Sequence, residues 1–275
     1  MVYGVIGGLV GLILAYALWE PYRIQTTEYT VAIDNLAPAF EGATILHLSD
    51  LHGRVGVFSF RPFLRWLAEA DMVVVTGDLY SPTLPRARLA RHLERLSAPL
   101  GVYYVSGNHD YRRGRLAIEP WDPGGRIIDN RVITIRRDGQ TLFLAGLPDF
   151  VKGQPEWEAV RADINAARGP VILLAHRPDA WLLPGVERAG LILAGHTHGG
   201  QIRIPGYGAL IRHTRLLGRY TSGRLEQPDR PVLITSRGLG TSELPLRFLA
   251  PPEIIRVRLV SRHRMKDNSD RGENE

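Results

Sequence analysis

LILAGHTHGGQ, from Leu191 to Gln201, places two imidazoles at the mouth of an apolar run. The run Leu191–Ala194 has the length and branched character of a buried strand. It ends in Gly195, then His196 and His198 one residue apart, then Gly199 and Gly200. One histidine at a strand end is commonly a packed residue. Two histidines framed by glycines point to either a tight polar turn or a metal site.

Working outward from this stretch, the same arrangement recurs four times. TILHLSDLH gives a strand over Thr44–Leu48, then Asp50 and His52. DMVVVTGD gives a strand ending at Thr76, then Asp78. GVYYVSGNHD ends in Asn108, His109 and Asp110, and PVILLAH ends in His176. Each piece alone is ordinary. An aspartate after a strand is often a helix cap, Gly-Asp is a common turn, and one histidine is usually structural. Five strands each delivering Asp, Asn or His at the carboxyl end is not a packing pattern, and open α/β sheets bind ligands at that edge.

Amphipathic segments over Phe60–Ala70, Arg86–Leu96 and Trp157–Ala167 separate some of these strands, as an α/β domain requires. VITIRRDGQTLFLAG reads as a hairpin about Asp138-Gly139, so the sheets are expected to be mixed. Further strands are expected at Gln201–Ile204, Val232–Ser236 and Ile254–Val260, and residues 20–42 read as a linker. The main domain is expected over 43–260. The charged stretch 261–275 reads as a disordered tail.

The 275 residues are 44% hydrophobic and 23% charged, which allows one large domain with a full core. No solenoid or propeller period is present. With no cysteine, thiol catalysis, zinc–thiolate sites and disulfides are excluded. The net charge of +6 favours anionic partners. The arginines are dispersed and no nucleic-acid-binding module is recognisable, so no nucleic acid is expected as a partner. His47, His92, His213 and His263 read as structural, with His213 placed in the loop after the double-histidine motif.

VYGVIGGLVGLILAYALW, Val2–Trp19, is uncharged. As a helix it spans roughly 27 Å, close to the hydrocarbon thickness of a bilayer. A signal peptide is the competing reading, but there is no basic leading segment and no A-x-A site before Glu20-Pro21. An uncleaved single-pass anchor over 1–19 is therefore expected. Arg23 on its C-terminal flank favours a cytoplasmic catalytic domain.

Taken in order, D-x-H, GD, GNHD, H and GHTH resemble the calcineurin-like metallophosphoesterase superfamily, from about Thr44 to Val260. The anchor, AHRPD, GHTHGGQ and SRGLGTSELPLRFLAPPE are similar to its membrane-anchored bacterial branch. The resemblance implies a four-layer αββα sandwich of two mixed sheets behind a transmembrane helix. It implies one metal held by Asp50, His52, Asp78 and His198. A second would be held by Asp78, Asn108, His176 and His196, with Asp78 the bridge. Mixed oxygen and imidazole ligands suit Mn, Fe or Zn rather than Ca or Mg. The implied chemistry is hydrolysis of phosphodiester or pyrophosphate bonds by a hydroxide bridging two divalent ions. His109 would act as general acid, oriented by Asp110.

Many members carry a second aspartate after the GD motif where this chain has Ser81, a difference that bears on tuning around the site and not on the ligands. IPGYGALIRHTRLLGRYTSG mixes apolar residues with arginines, and suggests a lip in which Arg203, Arg212 or Arg215 meets an anionic head group. The alternative is a plain surface loop. Two enzyme readings stay open: a general phosphodiesterase, and a pyrophosphatase of UDP-diacylglucosamine type acting on a nucleotide-linked lipid. The non-enzymatic alternative is a membrane-tethered scaffold, against which stand seven intact ligand positions and His109.

Overall fold

Alternating side chains on each strand sort into three apolar clusters, and these define the layers. The computed structural model describes residues 2–117, 126–216 and 220–262. In chain order the elements are α1 (Val2–Trp19), β1 (Gln25–Ile33), β2 (Thr44–Leu48), α2 (Arg61–Glu69), β3 (Met72–Thr76), α3 (Arg86–Leu93) and β4 (Val102–Val105). A small hairpin follows, β5 (Tyr111–Arg112) and β6 (Arg115–Leu116), then β7 (Arg131–Arg137), β8 (Gln140–Leu147), α4 (Trp157–Ala166), β9 (Val171–Ala175) and β10 (Leu191–Ala194). The chain ends with the short pair β11 (Arg203–Ile204) and β12 (Gly208–Ala209), then β13 (Gly223–Leu225), β14 (Val232–Thr235) and β15 (Glu253–Ser261).

One sheet has the order β1-β15-β2-β3-β4 and the other β13-β14-β10-β9-β8-β7. Both are mixed: β15 pairs antiparallel with β2, and β7 and β13 pair antiparallel with β8 and β14, while the remaining neighbours are parallel. Ile45, Met72, Val74 and Val257 of the first sheet meet Leu144, Ile172, Leu193 and Ile234 of the second in the central cluster. The opposite faces bury Leu46, Val73 and Val75 under Phe63 of α2 and Leu89 of α3, and Leu173, Ile192 and Leu233 under Trp157 and Val160 of α4. Each such side chain, fully buried, is worth about 1.5–3 kcal/mol. The result is the αββα sandwich expected from the sequence. The three helices lie within the expected ranges, and the hairpin turns at Asp138-Gly139.

The linker expectation needs correction. Gln25–Ile33 is a nine-residue edge strand, in parallel register with β15 from Gln25↔Glu253 to Ile33↔Ser261. Its alternation is visible only once β15 supplies a partner, because QTTEYTVAI is polar over its first half. The sheet therefore begins well before residue 43. Residues 263–275, with His263 and nearly all of the expected tail, lie outside the described residues.

Candidate metal centre

The strand ends converge because β2, β3 and β4 run parallel in one sheet and β9 and β10 in the other, so all five finish at one end of the sandwich. The loops there are unusually strained. Asp50, His52, Asp78, His196 and His198 all take positive φ, between 44° and 70°. A non-glycine residue in that region costs of order 1 kcal/mol or more, and such strain concentrates at functional sites. Gly195 permits the closest approach: a Cβ there would collide with Ser49 and with the Asp50 carboxylate. Gly77, at φ +89°, likewise leaves room for the His176 ring.

The donor atoms fall into two sets. In the first, His52 Nε2 lies 3.2 Å from His198 Nε2. Asp50 Oδ1 is 3.8 Å from His198 Nε2, and Asp78 Oδ2 is 3.5 Å from His52 Nε2. In the second, His176 Nε2 lies 3.1 Å from both Asn108 Oδ1 and His196 Nδ1, and 3.6 Å from the same Asp78 Oδ2. Asp78 Oδ2 thus faces both sets. Nitrogen lone pairs directed at one another at 3.1–3.2 Å repel unless a proton or cation lies between them. Mixed imidazole, carboxylate and amide donors around two such foci fit a pair of divalent cations.

Burial keeps His52, His196 and His198 neutral and ready to coordinate. It pulls His52 down to about 3, with His109 adding to the effect, and lowers His196 and His198 as well. Burial also raises Asp50 to about 7, with neighbouring Asp78 contributing, and raises Asp78, which Asp110 pushes further. Carboxylates packed this closely resist ionising together unless positive charge is supplied. The outer nitrogen of His176 bonds Thr76 O at 2.9 Å, which fixes that ring.

All seven expected ligand positions meet here. His109 joins them: its ring packs edge-on to His52 at 4.8 Å and its side chain lies within reach of Asp78. Burial lowers its pKa, opposed by the negative charge of Glu243 and Asp110. Asp110 does not take the expected role. Its carboxylate is spent on three backbone N–H groups, those of Asp78, Tyr80 and Gly107, at 2.8–2.9 Å. It therefore holds the loops and not the His109 ring, because a buried carboxylate finds its best donors in the strained backbone around it. Arg203 is likewise redirected: its guanidinium donates to Gly199 O and Thr221 Oγ1, bracing the turn after His198. Arg212 and Arg215 do line an open cavity of about 640 Å³, together with Arg177, Asp179 and His213. His213 packs against His196, their ring centroids 5.8 Å apart, so it belongs to the rim of the site and not to the core. Ser81 bonds Thr83 and stays at the edge of the loop after β3. His47 and His92 are structural as expected, one bonded to Thr76 Oγ1 between the sheets, the other stacked on Phe58.

Residues 43–200 match the calcineurin-like phosphoesterase family model. The chain belongs to this family. It is 34% identical over 254 residues to the metallophosphoesterase YkuE of Bacillus subtilis, covering 88% of this chain and 87% of that one. A transmembrane protein with a metallophosphoesterase domain from Danio rerio is 27% identical over 86% of this chain, which spans 57% of its length. Among solved structures, the NAD nucleotidase of Haemophilus influenzae aligns at a TM-score of 0.51 with 16% identity, over 72% of this chain and 45% of that one. That likeness concerns the fold alone.

Around the site, this phosphoesterase also has buried polar residues whose roles the quoted motifs do not announce. Arg247 is fully buried, and its guanidinium donates to the carbonyls of Gly240, Ala250, Arg237, Gly238 and His198. Burial pulls it down to about 9, with Asp50 pulling the other way, so it remains a cation beside the first ligand set. A chain of hydrogen bonds runs from His47 through Thr76 Oγ1 and Ser49 Oγ to Asp50 Oδ2. Glu20, also fully buried, accepts from Ala250 N and from Tyr16. In the sequence these are a lone arginine, a lone serine and a glutamate after an apolar helix, and none has a spacing that gives it away.

Proposed function

We propose that this protein is a phosphodiesterase or pyrophosphatase acting on a membrane-borne substrate with two divalent ions, of the Mn, Fe or Zn type. The observation that carries the reading is Asp78 Oδ2 shared between two donor sets, with His109 beside it. When bound, the metals supply charge neutralisation and a nucleophilic water. The chain's own residues do the rest. Asp50, His52 and His198 on one side and His196 on the other are pre-set by strained loops, and His176 is fixed by its bond to Thr76 O, so little reorganisation is needed on binding. His109, half-buried with a weakened hold on its proton, stands where it can give that proton to a leaving oxygen.

The preference for diesters over monoesters rests on the cavity beside His196. A phosphodiester carries a second substituent, and Arg177, Arg212 and Arg215 give an anionic group there a place to dock. Among the described residues, Asp179 Oδ2 is buried there without a hydrogen-bond partner, an acceptor suited to a hydroxyl or amine of the substrate. This favours, as the second reading, a nucleotide-linked lipid precursor of UDP-diacylglucosamine type, which carries a diphosphate and sugar hydroxyls. α1 is long and apolar enough to cross a membrane, and we read it as a single-pass anchor with the catalytic domain on the cytoplasmic side, following Arg23.

A screen of the metal-loaded full chain against phosphomonoesters, aryl phosphodiesters and nucleotide-linked lipids tests this. Diester or pyrophosphate cleavage should dominate, and monoester rates well above the others would refute the reaction class. Metal analysis separates the enzyme from a scaffold: no bound transition metal and no hydrolysis with added Mn would favour the scaffold.

A further inference from the structure

Strand polarity brings the anchor and the metal centre to the same end of the molecule. β1 runs parallel to β15, which is antiparallel to β2. Gln25 at the start of β1 therefore lies at the edge where β2 ends and Asp50 follows. α1 enters that edge through a single short turn, Glu20–Tyr22.

The last turn of α1 is built into the domain. Arg247 N bonds Ala17 O at 3.0 Å and Ala250 N bonds Glu20 Oε2 at 3.1 Å. The Tyr16 ring meets Phe248 edge-on, centroids 5.5 Å apart. Phe248 in turn exchanges backbone hydrogen bonds with Gln201 and Arg203, and the Gln201 amide bonds the carbonyls of Ser242 and Leu244. The end of α1, the loop after the double-histidine motif and the segment 244–249 thus form one continuous surface.

That surface is apolar where it faces outward. Outside α1 and Tyr22, nine large apolar side chains are exposed among the described residues, and six of them belong here: Ile204, Tyr207, Leu210, Ile211, Leu244 and Leu249. Tyr207, Ile211 and Leu244 are each more than half exposed. Single exposed apolar residues are normal, whereas a cluster around a helix that is itself apolar on every side marks contact with lipid. Arg212 and Arg215 stand beside it, suited to anionic head groups.

We propose that this apron is a membrane seat. Its apolar side chains enter the boundary between head groups and acyl chains next to α1, and the cleft opens onto the head-group layer. The seat rests on reading α1 as a membrane span. It makes a lipid-borne phosphate in the anchored leaflet the substrate class that reaches the metals without leaving the bilayer.

The absence of native cysteine makes the test direct. Full-length Ile211→Cys and Leu244→Cys carry an environment-sensitive fluorophore, in vesicles of phosphatidylcholine and phosphatidylglycerol with acyl-chain-brominated lipid as quencher. Arg168→Cys, exposed before β9 at the opposite end, is the reference, and Leu210→Cys replaces Ile211→Cys should that variant misfold. Retained metal content reports an intact fold. Labels at 211 and 244 should be quenched several-fold more than at 168. Equal quenching at all three overturns the seat. Quenching, with no hydrolysis of any diester by the unlabelled native chain, keeps the seat and removes the phosphodiesterase reading. Hydrolysis without differential quenching does the reverse.

Discussion

The two halves of the candidate metal centre share donor chemistry but not surroundings. Asp50, His52 and His198 back onto a buried arginine, a hydrogen-bonded chain to His47 and the docked end of α1. The set of Asn108, His176 and His196 has a cavity next to it, reached through the contact of His196 with His213 and rimmed by Arg177, His213 and Arg215. His196 shows the difference in one residue: Nδ1 faces His176, while Nε2 is buried without a partner among the described residues, on the side toward His213. One half is fixed by the protein, and the other is left to be completed by what binds. Imidazole and carboxylate ligands alone do not set a site's behaviour, because the groups behind them control orientation and access.

The strongest test joins the halves. Asp78→Ala removes the atom they share, so metal binding should fail in both, with kcat/KM reduced by at least about 10³-fold. Retention of one tightly bound ion per chain would mean that the halves are independent. His109→Ala should cost about 10²–10⁴-fold in kcat for substrates with poor leaving groups and much less for nitrophenyl esters, as expected of a general acid. An equal loss on both would place His109 in binding instead.

Arg247→Met probes the closed half specifically. Five carbonyls lose a donor, and affinity at the first ligand set should fall about 10- to 100-fold while the second set binds normally. Metal titration followed by calorimetry should resolve the two steps, and equal weakening of both would erase the contrast. Arg247→Lys keeps the charge should the methionine variant misfold.

The smallest effect concerns pH. Burial depresses His47 to about 3, against an ordinary value near 6.5. Between these values the unfolded chain binds more protons than the folded one, so stability is complete above about 6.5 and falls as pH drops toward 3. His47→Gln should lower Tm at neutral pH but flatten its decline in acid. An unchanged slope would show that the acid sensitivity lies among the ligands.

The ligands were legible because each follows a short apolar strand and because glycines mark the turns, both properties of a few adjacent residues. The layers were legible for the same reason, through alternation in β2, β3, β9 and β10. β1 was not, since its polar first half gains meaning only from the register with β15, 228 positions away at Gln25↔Glu253. The hydrogen bonds of Asp110 and Arg203 were not legible either: sequence proximity points to a ring and a substrate, while nearby backbone groups offer the partners seen in the fold. Residue type and local spacing by themselves marked the strand ends, the polar residues that follow them and the apolar first helix, and the motif order pointed to the family. Only the tertiary structure decided that Arg247 and Glu20 support the site and that the end of α1 packs beside it. Those contacts join segments far apart in the chain, and hydrogen bonds to backbone carbonyls leave no signature in the side chains that accompany them.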